Sequence, residues 1–147
     1  MDNENNRENE IDQLNSLLRG ELSAVETYRQ CQERITDATV RLQLEPLRAS
    51  HRERAAKLTQ RILSLGGTPS EDSGPWGTFA KLVEGGAKVL GEGPALAVLE
   101  EGEDHGCAQY KADLDGLSPE SRALVQTVLL PEQQRTHDVL SALYQSR

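Results

Sequence analysis

The chain has 147 residues, a formal net charge of −8, 27% charged residues and only 3% aromatic residues. That length is expected to bury one core. The acidic balance, with no basic stripe carrying interleaved aromatics, argues against nucleic acid as a partner. Apolar runs of about five residues are too short to span a membrane. Ala, Leu, Glu, Gln and Arg are frequent and period-two β-branched runs are absent, so the fold class predicted is all-α.

Residues 1–8 are polar and acidic without a signal-peptide core, and read as a disordered leader to a cytosolic protein; residues 9–147 are expected to form one bundle. A first helix is predicted from Glu8 or Asn9 to Ile35, with Thr36 and Asp37 in a turn or cap. The second follows Val40, Leu44, Leu47, His51, Ala55, Leu58, Ile62 and Leu65, a three-four spacing that places all eight on one face. Pro46 interrupts this helix without changing its phase, which predicts a kink rather than a break. Gly66-Gly67-Thr68-Pro69 ends it. The stretch 66–94 is too long for a turn between antiparallel neighbours. It is read as a crossover along the bundle, holding a short helix near 76–90 and making the second and third helices parallel.

The third helix begins near Pro94 and follows Leu96, Leu99, Glu103, Cys107, Tyr110 and Leu114. Ser118 is a candidate N-cap with Pro119 at the first helical position. The fourth helix uses Leu124, Val125 and Val128, then slips phase at Pro131 to Leu130, Gln134, His137, Leu140 and Tyr144. A break or a π-type insertion accounts for the slip.

One device occurs twice: Gly20-Glu21, six residues, Tyr28, then His51; and Gly102-Glu103, six residues, Tyr110, then His137. Each glutamate lies on an apolar seam, where an unpaired carboxylate costs several kcal/mol. Residues equidistant from a turn share a height in an antiparallel pair. Glu21 and His51 average to position 36, inside the first turn, and Glu103 and His137 to position 120, about three residues past the second. Glu100 is therefore a substitute for Glu103. Each tyrosine is expected to bend back toward the glutamate of its own helix.

These residues resemble the ferritin-like superfamily. Closer still is a bacterial family of small ferritin-like bundles of unknown function, echoed in Leu17-Leu-Arg-Gly-Glu-Leu, in Gly74-Pro-Trp-Gly-Thr-Phe-Ala-Lys-Leu-Val-Glu-Gly-Gly-Ala-Lys and in Leu129-Leu-Pro, with similarity over about residues 11–145. The resemblance implies a four-helix bundle with one long crossover. It also implies a di-iron layout of one Glu from each of two helices and a Glu-x-x-His from each of the others. Glu21 and Glu103 match the single glutamates, and His51 and His137 the histidines. The positions three before those histidines are Arg48 and Gln134, which disfavours a di-iron centre.

Two readings of the interior follow. In one, Glu21, His51, Glu103 and His137 hold a single divalent ion, Zn, Mn or Fe, in stress or metal handling. In the other, the Glu–His pairs form a metal-free polar layer of a structural or interaction bundle, and an inward Arg48 would favour it. Cys31 and Cys107 are too far apart to bridge and read as buried thiols. No nucleophile motif points to a particular enzyme or substrate, and a homodimer through the 76–90 segment is open.

Overall fold

The computed structural model describes residues 2–73, 91–112 and 114–146. The fold is all-α, with no strand among the described residues. Helix α1 spans Asp2–Arg34, α2 Ala38–Ser64 and α3 Glu92–Lys111. A 3-10 turn, Leu114–Gly116, leads to α4, Pro119–Leu124, which runs through a π turn, Val125–Leu129, into α5, Leu130–Gln145. The expected short helix near 76–90, and with it the suggested dimer face, lies outside the described residues. No described helix is long and apolar enough to cross a membrane.

Local chemistry sets the boundaries. Helix α1 is already helical at Asp2, six or seven residues before the predicted start; acidic side chains there suit the positive end of the helix dipole. Residues 4–9 are nonetheless exposed, and burial begins at Glu10. Asp37 caps α2 by accepting hydrogen bonds from the Thr39 and Val40 amides. Gly66 ends it with φ +81°, a left-handed conformation that favours glycine. Pro46 sits inside α2 on its exposed side, so the carbonyl it leaves unpaired can turn to water. Ser118 caps α4, with Pro119 in its first turn.

Contacts of Gln32 with Glu45 and of Glu21 with His51 run α1 antiparallel to α2, and those of Glu100 with Ser141 and of Glu103 with Gln133 run α3 antiparallel to α5. Contacts of Cys31 Sγ with the Ala95 carbonyl and of Gln109 with Ser16 run α1 and α3 antiparallel as well. Helices α2 and α3 are therefore parallel, as the long connection predicted. Two apolar clusters fill the bundle. Tyr28, Ile35, Leu44, Leu47, Leu96 and Leu140 belong to one, near the α1–α2 turn; Leu14, Leu18, Leu58, Ile62, Val125 and Leu129 belong to the other. Between them lies a polar layer.

The buried Glu–His–Arg layer as candidate functional site

Glu21 on α1 and Glu103 on α3 are 3% and 1% exposed, and His51 on α2 is 2% exposed. The imidazole stands between the carboxylates, with Nδ1 at 2.6 Å from Glu21 Oε1 and Nε2 at 2.6 Å from Glu103 Oε2. Arg54, one turn further along α2, is 1% exposed and brings Nε to 3.0 Å from Glu21 Oε2. Its Nη2 lies 2.6 Å from His51 Nδ1 and 3.4 Å from Thr136 Oγ1.

The tyrosines complete the layer crosswise. Tyr28 of α1 donates to Glu103 Oε2 at 2.6 Å, and Tyr110 of α3 donates to Glu21 Oε2 at 2.7 Å. The sequence reading, which sent each hydroxyl to its own helix's glutamate, is corrected here. Seven residues put each ring about 10 Å along its own helix, and bending back in an antiparallel pair brings it onto the facing carboxylate. From α5, Gln133 Nε2 donates to Glu103 Oε1 at 2.6 Å and Thr136 Oγ1 at 2.9 Å. Gly106 makes room for that amide: a Cβ there would lie 2.9 Å from Gln133 Nε2.

His51 Nδ1 has two close partners and can satisfy one at a time. As an imidazolium it donates to Glu21; as a neutral ring it accepts from Arg54. Burial alone would lower the His51 pKa, but the carboxylates of Glu21 and Glu103 outweigh it and raise it. The two carboxylates thus favour the imidazolium, and the Arg54 contact favours the neutral ring. With the imidazolium, the layer pairs two carboxylates with two cations. Burial opposes ionisation of Glu103 too, yet the imidazolium and its hydrogen bonds hold its pKa below the ordinary carboxylate value. Burial, then the facing carboxylates, push Tyr28 and Tyr110 well above the ordinary phenol value. Both remain donors.

Of the four residues predicted to converge, Glu21, His51 and Glu103 do so and His137 does not. His137 is partly exposed and hydrogen-bonds Asp104 and Asp138 at the surface. Its height is right, since Asp104 neighbours Glu103; its facing is wrong. The buried line of the last helix is Val125, Leu129, Gln133, Thr136, Leu140, one residue before the predicted Leu130, Gln134 and His137. The π turn widens one turn of the helix, so two successive steps of four stay on one face. Glu100 does not replace Glu103; it is partly buried and accepts from Ser141. Arg48 faces Gln32 and Glu45 rather than the layer.

Arg54, Gln133 and Thr136 were missed. Arg54 lies seven residues after Leu47 and four before Leu58, a core position by spacing that its charged neighbours Arg52 and Glu53 disguise. The two cysteines are free and buried. Burial pushes the Cys31 thiol up to about 12, which removes it as a nucleophile.

Residues 9–115, covering nearly all of α1 with α2 and α3, match the family model described as Domain of unknown function (DUF2383). The chain belongs to the DUF2383 family. No curated protein and no solved structure matches it. In this DUF2383 chain two layer residues, Gln133 and Thr136, come from α5, beyond the matched stretch.

The layer draws on four helices. Helices α1 and α3 give one glutamate each, and α2 and α5 each give an i, i+3 pair: His51 with Arg54, and Gln133 with Thr136. A di-metal bundle places Glu-x-x-His at such pairs. These residues do not fit an ion as they stand. A carboxylate has about four acceptor directions, and those of Glu103 are taken by Tyr28, His51, Gln133 and Thr136. His51 spends its two nitrogens on opposite carboxylates, so they cannot close on one ion beside it. Among the described residues, no group of three or more His, Cys, Asp or Glu is arranged to hold a metal.

Proposed function

We propose that this is a ferritin-like bundle in which a guanidinium and an imidazolium supply the positive charge that a metal centre would bring, leaving a neutral, metal-free polar layer. The protein then works as a structural or interaction bundle and not as an oxidase. Arg54 carries this reading: a fully buried cation sits against Glu21 in the layer itself. A buried arginine is costly unless opposite charges surround it. Once they do, the added charge of a divalent ion would be uncompensated.

A second reading keeps the metal. Glu21, His51 and Glu103 meet in one layer, and a single divalent Zn, Mn or Fe ion could use them if Arg54 swung out and His51 released one carboxylate. His137 would contribute nothing from its surface position.

The deciding experiment is metal analysis of protein purified without chelators or a nickel column, followed by titration with Zn(II), Mn(II) and Fe(II). The polar-layer reading predicts no stoichiometric metal and a thermal midpoint unchanged by EDTA. About one equivalent of metal, lost in Glu21→Ala and in His51→Ala, would overturn it in favour of the single-ion site.

A further inference from the structure

Beside the layer lies a cavity of about 170 Å³, opening between α1 and α3. It exists because the facing helices carry small residues there, among them Gly20, Ala24 and Gly102. Tyr28, His51 and Glu103 line it within, and exposed Glu101 and His105 bring it to the surface. The repeated motif does not produce the same space twice. The corresponding cavity at Tyr110 measures only about 30 Å³, and Gln109 and Gln133 are among its walls. A cavity of about 150 Å³ holds a benzene ring, so of the two cavities that His51 lines, the one at Tyr28 has room for a ligand.

The lining chemistry narrows the ligand. Leu99, Ala24 and the glycines give apolar wall. The donors of the inner wall are committed, Tyr28 to Glu103 and His51 to both carboxylates. Acceptor capacity remains on Tyr28 Oη and on Thr27 Oγ1, which donates its own proton to the Ser23 carbonyl. Inside, His51 offsets Glu103, and Glu101 at the rim leaves the mouth acidic, which disfavours anions.

We propose that this cavity binds a small ring-bearing molecule that has one hydrogen-bond donor and no negative charge, phenol being the simplest. The ring lies against Leu99 and Ala24, and its hydroxyl donates to Tyr28 Oη or Thr27 Oγ1. This site is independent of whether the layer beside it ever holds metal.

The test is a titration of the whole chain with phenol, followed through the imidazole resonances of its three histidines. Saturable shifts are expected at His51 on the inner wall and His105 at the rim, with none at His137. Benzoate, of similar size but anionic, should bind at least about tenfold more weakly. Ala24→Leu fills the space and should abolish the shifts at His51 and His105. No saturable shift at His51, equal shifts at all three histidines, or benzoate binding as well as phenol would overturn the proposal. Those three readouts use the unaltered protein, so they decide the matter even if Ala24→Leu does not fold.

Discussion

At the scale of single residues, the crosswise tyrosines are the sharpest feature of the layer. Each gives a charge-assisted hydrogen bond across the α1–α3 boundary, and such bonds contribute about 1.5–3 kcal/mol. Tyr28→Phe and Tyr110→Phe should therefore each lower stability by that amount, measured by urea unfolding, with the two losses within about 1 kcal/mol of each other. A loss under about 0.5 kcal/mol in either variant would show that its hydroxyl is not holding a buried carboxylate. The glutamates and His51 were legible in the sequence because an ionisable group on an apolar seam stands out. Arg54, Gln133 and Thr136 were not: an arginine amid charges and a glutamine amid polar residues look like surface until the facing of their helix is known.

The last helix shows what spacing alone can and cannot give. The phase slip near Pro131 was visible and a π turn accounts for it, but spacing did not say on which side of the slip the facing is set. Both Thr136 and His137 lie within one turn of Leu140, and the π turn decides between them. Deleting Thr127, exposed within that turn, would give the buried line a regular three-four-three-four spacing. The deletion should change stability by no more than about 1–2 kcal/mol and keep Gln133 facing Glu103. Deleting exposed Arg52 from the regular part of α2 would rotate everything after it by about 100°, carrying Arg54 off the layer, and should prevent folding. Paired thermal melts check both; equal damage from the two deletions would count against the π turn as a dispensable insertion.

Across the whole molecule, the polar layer lies between two apolar clusters and couples the charge state of the core to folding. His51 has a folded-state pKa above its ordinary value, so its contribution is complete below about pH 6.5 and is lost as pH rises through the raised value. Glu103 has a lowered one, so its contribution is complete above about pH 4.5 and is lost as pH falls through the lowered value. Tyr28 and Tyr110, raised well above the phenol range, add a further loss above about pH 10, where only the unfolded chain readily ionises them. Urea midpoints across pH should show a plateau on the weakly acidic side of neutrality, falling on both sides. His51→Gln should remove the fall just above neutral pH and leave the one beyond pH 10. The bundle topology was readable from helix count and connection length. Self-neutralisation was not, because it depends on which side chains share one height and one facing.

The proton on His51 is the most direct test of a self-neutralised layer. Nitrogen NMR of the labelled imidazole at pH 7 distinguishes the two neutral tautomers, the imidazolium and a metal-bound ring. The predicted result is an imidazolium with both nitrogens protonated and unchanged by Zn(II). A neutral ring at pH 7, or one nitrogen shifted by Zn(II) in the intact protein, would contradict it.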